Sequence, residues 1–199
     1  MATSYSRLQS VSLPRGTPVY RFNQGLPTVA KMEEPAVNVM TDLQRVETVT
    51  VDPNLPIDEA LQKMIHTGVR LLIVTDNKDQ MKGVITARDI MGEKPVRYIA
   101  KERVARNEIV VTHIMTPENE IEALSMDAVE KSCVGDIVET LRHAQRQHAL
   151  VLDDDDHGRP VIRGIFSITQ IGRQLGVNIP PTGLVQSFAE IKALLTPGN

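Results

Sequence analysis

The feature that most constrains this chain is an internal duplication. Val39-Met40-Thr41 returns 75 positions later as Ile114-Met115-Thr116, and Gly83 returns 81 positions later as Gly164. Between these anchors the offset grows only where turns are expected. Insertions confined to turns are typical of a duplicated structural unit, whereas a chance similarity would also drift inside helices and strands. The sequence therefore predicts two copies of one small fold.

Each copy has the same predicted order of strand, helix, strand, strand and helix. Apolar residues alternate with polar ones in the short strands and recur at spacings of three and four, as on one helical face, in the helices. Polar turns separate these segments. Gly68 is expected to end the first long helix. In the first copy the predicted elements are a strand at 48–51, a helix from Ile57 to Ile65, a buried strand at 71–74, a hairpin turn at 76–80, a strand at 84–85 and a short helix at 88–91.

A hydroxyl and a carboxylate meet where the last strand of the first copy turns into its short helix. Thr86 and Asp89 stand three residues apart there. This pair suits the two hydroxyls of a ribose, and the free N–H groups of a helix start suit a phosphate. The alternative is a helix cap, in which the same side chains satisfy those N–H groups. The second copy has Ser167 and Gln170 in these places, and an amide lacks the charge of a carboxylate.

The duplicated order and the motif Gly-Val-Ile-Thr-Ala-Arg-Asp at 83–89 together resemble the CBS domain pair, or Bateman module. The resemblance covers about residues 36–92 and 110–176. It implies an α+β fold in which two β-α-β-β-α units pack through their sheets with pseudo-two-fold symmetry. In this family two modules usually form a disc-like homodimer. Clefts between the units bind adenosyl ligands such as AMP, ADP, ATP or S-adenosylmethionine.

The resemblance also implies residues for two binding sites. Thr86 and Asp89 would hold a ribose, and Arg88 would lie near a phosphate. The adenine pocket of this first site would be lined by Thr48, Val51, Arg70, Leu71 and Ile85. A second, weaker site would contain Ser167, Gln170 and His148. For His148 the alternative is a partly exposed histidine at the start of a strand.

The remaining segments complete the predicted organisation. The chain divides into an N-terminal arm at 1–35, a first CBS domain at 36–92, a connector at 93–110, a second CBS domain at 111–176 and a C-terminal amphipathic helix at 177–199. The arm is rich in proline, with a short strand expected at 19–22, and its Val29 is a candidate for docking on the body. Val96, Ile99, Ala100 and Val104 would share one face of a connector helix. The arginines and lysine of that connector form either a solvated face or a basic rim near a phosphate.

Charge and apolar content exclude several classes of function. The net charge of −3 argues against a protein that binds nucleic acid by neutralising phosphates. No apolar run approaches the roughly 20 residues that span a bilayer. The first residues lack the features of a signal peptide, and Cys133 is the single cysteine, so a cytoplasmic protein is expected.

Other candidate sites have weaker patterns. The run Asp153–His157 could attract a hard cation, but it lacks the spacing of a calcium loop and is better read as an acidic turn. The histidines at 66, 113 and 143 show no metal-binding spacing. No catalytic triad or phosphate-binding glycine loop is indicated.

The resemblance, together with the absence of a recognisable catalytic pattern in the sequence, therefore implies a non-enzymatic regulatory module with no required cofactor. It would sense an adenosyl compound as a homodimer and signal to a separate effector protein. The alternative is a ligand-independent interaction or scaffold protein with the same fold.

Overall fold

The computed structural model describes residues 27–177 of the 199. The strand predicted at 19–22 and the helical face predicted around Leu184–Leu195 lie outside the described residues. The described strands are β1 Thr41–Asp42, β2 Thr50–Val51, β3 Leu71–Thr75, β4 Met81–Thr86, β5 Thr116–Pro117, β6 Ala123–Ser125, β7 His148–Asp154 and β8 Pro160–Ser167. The described α-helices are α1 Ile57–Thr67, α2 Ala87–Met91, α3 Glu93–Glu102, α4 Val111–Ile114, α5 Met126–Glu130, α6 Val134–His143 and α7 Ile168–Leu175.

The strands form two sheets of four, in the orders β2-β3-β4-β5 and β1-β8-β7-β6. Each sheet combines one parallel pair with antiparallel pairs. The predicted α+β fold class is confirmed, and the two copies have matching strand orders. We call the first sheet and its helices the first unit, and the second sheet and its helices the second unit.

Helix α1 shows how the sequence determines the local structure. Pro56 precedes it, and Gly68 ends it with a left-handed φ of 70°, a conformation that favours glycine. Ile57, Ala60 and Met64 are buried along one face. The predicted helix and its glycine stop are both confirmed.

The two units exchange their first strands. Strand β1 comes from the first copy but pairs with β8 of the second unit, where Asp42 lies opposite Gly164. Strand β5 comes from the second copy but pairs with β4 of the first unit, where Pro117 lies opposite Gly83. Neither sheet is therefore complete within one copy.

The turns and helices before these strands are exchanged as well. Ala36, Val39 and Met40 pack in the core of the second unit, together with Phe166 and the apolar face of α6. Ile109, Val111 and Ile114 pack in the core of the first unit, which contains Ile57. The three-dimensional units thus differ from the predicted segments 36–92 and 111–176. The first residues of each copy join the sheet of the other copy. The edge of their own sheet is paired instead with the corresponding strand of that other copy.

The sheets pack against each other and leave the helices outside. Leu71, Ile73, Val84 and Leu150 are buried in the cluster between the sheets. Separate apolar clusters lie beneath the helices of each unit. This arrangement agrees with packing through the sheets, and it creates the edges at which ligand-sized clefts open.

An ion pair joins one exchanged strand to its host sheet. Arg163 of β8 donates to the carboxylate of Asp42 in β1, and the side chains of the two residues are only 15% and 12% exposed. Asp42 also accepts a hydrogen bond from the backbone N–H of Gln44 at 2.9 Å. A carboxylate this buried needs such partners, because an unpaired charge away from water is strongly unfavourable.

The connector is helical, but its predicted apolar face is only partly buried. Ile99 and Val104 pack against the first unit, whereas Val96 is 65% exposed. Arg97 pairs with Glu93 on the surface, and Arg106 pairs with Asp58 at the start of α1. These pairs favour the solvated-face interpretation over a basic rim. No helix within residues 27–177 is both long enough and apolar enough to cross a bilayer.

Candidate functional site

A first cleft of about 210 Å³ opens at one end of the interface between the sheets. The start of α2 forms one wall, and the start of β7, from the other unit, forms the opposite wall. The lining residues are Leu71, Val84, Thr86, Arg88, Asp89, Thr116, Glu120, Ile121, Glu122, Gln145, Arg146, Gln147, His148, Ala149 and Leu150. Four of the predicted first-site residues are therefore brought together: Leu71, Thr86, Arg88 and Asp89.

Thr86 and Asp89 form a reciprocal cap at the start of α2. The Thr86 backbone N–H and hydroxyl both donate to Asp89 Oδ2, at 2.8 and 2.6 Å, and the Asp89 backbone N–H donates to Thr86 Oγ1 at 3.2 Å. This is the capping-box geometry, so the structural alternative raised by the sequence is present. A carboxylate has about four lone-pair sites, and a capping Asp89 can still accept further donors.

The first cleft contains more acid than base. Asp89, Glu120 and Glu122 contribute three carboxylates, against the guanidinium groups of Arg88 and Arg146. Arg146 is paired with Glu122 at 3.1 Å. Sequence reasoning missed the two glutamates and Arg146, because they reach this cleft only through the packing of the second unit against the first.

A second cleft of about 190 Å³ lies at the corresponding position of the other unit. Its lining residues are Thr41, Gly68, Val69, Arg70, Leu71, His148, Ile165, Ser167, Thr169, Gln170 and Arg173. Among the described residues, this lining includes two arginines and no carboxylate. Gln170 Oε1 accepts a hydrogen bond from Thr41 Oγ1 at 3.1 Å, and Arg70 Nη1 donates to Thr169 Oγ1 at 3.3 Å. Ser167 and Gln170 are thus in the cleft predicted for them.

Arg70 differs from its predicted placement, and His148 lines one cleft more than predicted. Arg70 was predicted beside Asp89 but lines the second cleft, whereas His148, predicted for the second site, lines both. Each residue precedes or begins the central strand of its own unit, and the sheets pack face to face. The start of each strand therefore lies against the helix start of the opposite unit.

Three predicted adenine-pocket residues do not line either cleft. Val51 is 4% exposed and Ile85 is fully buried, and both pack beneath the helices of the first unit. Neighbouring side chains in a strand point to opposite faces, so Val84 reaches the cleft and Ile85 cannot. Thr48 precedes β2 and is also absent from both linings.

The chemistry of His148 is set by its position between the clefts. Burial and, to a smaller extent, the nearby Arg70 cation lower the pKa of His148 to about 4, although the Asp89 carboxylate opposes the shift. The imidazole is therefore neutral near pH 7. A neutral imidazole both donates and accepts hydrogen bonds, so it can bind a hydroxyl or a phosphate oxygen.

The other candidates lie away from the clefts and have local partners. Asp155 accepts from the backbone N–H groups of His157 and Arg159 and pairs with the Arg159 side chain, which describes an acidic turn. Cys133 precedes α6, where its backbone N–H donates to Asp136 at 2.8 Å. Hydrogen bonds from Cys133 lower the pKa of Asp136. Within residues 27–177 no three His, Cys, Asp or Glu side chains are grouped to hold a metal ion.

Comparison with known proteins shows which domain family and which solved structures this chain is similar to. Residues 37–95 match the family model of the CBS domain. An uncharacterized conserved protein from Pyrococcus horikoshii has a similar structure, with 20% identity, a TM-score of 0.53, and coverage of 76% of this chain and 98% of that one. A CBS-domain containing protein from Agrobacterium tumefaciens has 22% identity, a TM-score of 0.51, and coverage of 78% and 98%. At these identities the likeness concerns the fold.

Two curated archaeal relatives are much longer than the matched region. A homoserine O-acetyltransferase from Methanosalsum zhilinae is 23% identical over 137 residues, which is 69% of this chain and 24% of that protein. An uncharacterized protein from Methanopyrus kandleri is 25% identical over 70 residues, which is 35% of this chain and 36% of that one. The chain thus spans about a quarter and a third of these relatives, and the rest of each has no counterpart in the match.

Proposed function

We propose that this chain, whose residues 37–95 match the family model of the CBS domain, is a regulatory module of that family that binds an adenosyl compound in the first cleft. Binding would change the relative arrangement of the two units within a homodimer and so signal to a separate effector protein. The chain itself would not turn the ligand over.

One observation carries this proposal. The Thr86–Asp89 pair, which suits ribose hydroxyls, lies in the same cleft as an apolar surface from both units. Val84 belongs to the first unit, whereas Ile121 and Ala149 belong to the second. A flat, mostly apolar base between such side chains, with a few polar groups to orient its sugar, is the usual composition of a small-molecule site. A cleft built from both units also gives the ligand a means to favour one arrangement of them.

The charge of the first cleft bears on which adenosyl compound it takes. Three carboxylates and two guanidinium groups line it; Glu122 is paired with Arg146, and Asp89 is paired with Lys94, whose ammonium is not part of the lining. Each additional phosphate on the ligand meets unfavourable interactions with Glu120 and Glu122, whereas the ammonium and sulfonium groups of S-adenosylmethionine meet favourable ones. We therefore propose an affinity order of S-adenosylmethionine or AMP above ADP, and ADP above ATP.

The second cleft suits a different ligand chemistry. Arg70 and Arg173 face no carboxylate within its lining, and Ser167 and Thr169 add hydroxyls. Guanidinium groups bind phosphate oxygens in pairs of hydrogen bonds. This cleft is accordingly our candidate for the weaker, phosphate-bearing site. Occupation of the two clefts would be linked through His148, which lines both.

The regulatory step follows from thermodynamic linkage. A ligand shifts the arrangement of the units only if it binds one arrangement better than the other. A ligand that contacted both Asp89 and His148 would meet this condition, because these residues come from different units. A homodimer would carry the change to an effector. We propose that the surfaces outside the clefts contact that effector.

Isothermal titration calorimetry tests the proposed function. The purified chain is titrated with S-adenosylmethionine, AMP, ADP and ATP, alongside Asp89→Ala and Asp136→Ala. Asp136 caps α6 through the same backbone contact but lies in neither cleft, so it is a matched control. We expect binding that is lost in Asp89→Ala and kept in Asp136→Ala. No heat with any of the four compounds, or equal binding by Asp89→Ala, would overturn the proposal.

A ligand-independent scaffold is the second candidate. It is favoured by the hydrogen bonds that already occupy Thr86 and Asp89 with each other and Gln170 with Thr41. Capture of the effector by the immobilised chain, measured with and without each adenosyl compound, separates the two functions. Capture that no compound changes supports the scaffold. Conversion of a nucleotide that disappears in Asp89→Ala would instead indicate an enzyme.

A further inference from the structure

Lys94 joins the first cleft to the exchanged strand. It is the second residue of α3, and its Nζ lies 2.8 Å from Asp89 Oδ1. The same Nζ donates to the backbone carbonyl oxygen of Ile114 at 2.9 Å. Ile114 ends α4, and Thr116, two residues later, pairs with Val84 and lines the cleft. One ammonium group thus connects α2, α3 and the segment that the second copy contributes to the first sheet.

These contacts fix the orientation of the Asp89 carboxylate. Its Oδ2 accepts from the backbone N–H and hydroxyl of Thr86, while its Oδ1 is held by Lys94. The Asp89 side chain is only 15% exposed, so the contact is partly shielded from solvent. A charge-assisted hydrogen bond in such surroundings is stronger than a neutral one or a fully exposed pair. With three of the roughly four lone-pair sites of the carboxylate occupied, the one that remains on Oδ1 has a defined direction.

We propose that Lys94 is a positioning residue that orients Asp89 for recognition of the ribose hydroxyls and couples occupancy of the first cleft to the segment 109–117. The proposal rests on the proposed function. Hydroxyl donors that bind Asp89 hold its carboxylate in the orientation that also suits Lys94, and by reciprocity they order the ammonium and its hydrogen bond to the Ile114 carbonyl oxygen. A ligand that never touches the exchanged segment would in this way stabilise it.

Another lysine of the same helix provides a matched control. Lys101 pairs with Glu102 on the surface, with its side chain 81% exposed, and lies in neither cleft. Lys101→Met removes the same charge from α3 without touching Asp89. Lys94→Arg keeps a cation that can contact both Asp89 Oδ1 and the Ile114 carbonyl oxygen. Lys94→Met keeps the apolar part of the side chain and removes every donor.

The experiment compares adenosine with 2′-deoxyadenosine and 3′-deoxyadenosine by calorimetry in these variants. For the wild type and Lys101→Met we expect each missing hydroxyl to weaken binding about tenfold, which corresponds to one charge-assisted hydrogen bond. In Lys94→Met we expect adenosine to bind about tenfold more weakly and the preference over both deoxy compounds to fall below about threefold. Lys94→Arg should recover most of the preference.

Hydrogen exchange provides the second measurement. In the wild type, adenosine should slow exchange of backbone amides in 111–117, and this slowing should be lost in Lys94→Met and kept in Lys101→Met. A uniform loss of affinity in Lys94→Met, with the preference for adenosine intact, would show a purely structural role and overturn the inference alone. Absence of binding by the wild type to all three nucleosides and to the four compounds named above would overturn the proposed function together with it.

Discussion

Gly83 lies directly against the backbone of Thr116, and a Cβ atom on Gly83 would come within 2.3 Å of the Thr116 carbonyl oxygen. The corresponding glycine of the second copy has a different neighbour. A Cβ on Gly164 would meet Met40 Sδ at 2.5 Å. The repeated glycines are therefore required because the exchanged strands pair with the edge of each sheet at this point.

Gly83→Ala should destabilise the protein more than Gly164→Ala. The first change forces backbone against a new methyl group, which we expect to lower the free energy of unfolding by about 3 kcal/mol. The second meets only the flexible end of Met40, and its effect should be about 1 kcal/mol. Urea denaturation followed by circular dichroism measures both. Equal midpoints for the two variants would contradict the closer backbone approach at Gly83.

Thr86→Ala should affect both stability and ligand binding. Loss of the cap at α2 should lower the free energy of unfolding by about 1 kcal/mol. Ser125→Ala, which removes the hydroxyl that accepts from the Ala128 N–H at the start of α5, should have a similar effect on stability. Only Thr86→Ala should weaken binding of an adenosyl compound, measured by calorimetry. Equal binding by the two variants would restrict Thr86 to capping.

His148 should make stability fall as pH falls from about 6.5 to 4. Burial and Arg70 lower the pKa of His148 to about 4 in the folded protein, whereas an unfolded histidine titrates near 6.5. In this window the unfolded state binds more protons, so acid favours unfolding, by up to about 3 kcal/mol. Unfolding midpoints of the wild type and His148→Gln between pH 4 and 8 measure the effect. The variant should have the flatter curve, and superimposable curves would show that His148 does not titrate in this way.

Arg163→Met should be strongly destabilising, whereas Arg97→Met should not. Arg163 is the main partner of the buried Asp42 carboxylate, and its loss should lower the free energy of unfolding by about 3 kcal/mol. Arg97 and Glu93 are both about 80% exposed, and a pair of this kind contributes at most about 0.5 kcal/mol. Thermal unfolding compares the two. A double variant, Asp42→Asn with Arg163→Met, should recover part of the loss, because the buried carboxylate of Asp42 is then removed together with its partner; Arg45 and Asp153, which also lose a partner, are more exposed.

Local order was predictable wherever a pattern repeats within a few residues. The face of α1 and its stop at Gly68 follow from apolar spacing and from the need for a left-handed residue. The buried strand at Leu71 and the turn into α2 at Thr86 follow in the same way. The duplication then gave the order of elements in the second copy, where the signals are weaker.

The exchange of strands was not predictable from those patterns. Two-residue strands such as Thr41–Asp42 carry too little periodicity to show which sheet they join. The repeated Met-Thr and Gly residues did mark positions that meet in space, but Met40 contacts Gly164, and Met115 lies by Gly83. Arg70 was assigned to the wrong cleft, and the contact of His148 with the first cleft was missed, for the same reason, since a linear repeat does not show which copy faces which.

The crossed strands give the duplication a physical meaning. A chain with a single copy would have no strand equivalent to β5 to pair beside its Gly83. The core beneath α1 would also lack the residues equivalent to Ile109, Val111 and Ile114. Two such chains could complete each other only by trading these segments. The present protein is built like a swapped pair joined end to end, so the concentration dependence of such a pair is replaced by covalent linkage through α3. If that connector were cut, the two fragments should each be incomplete alone and should reassemble when mixed.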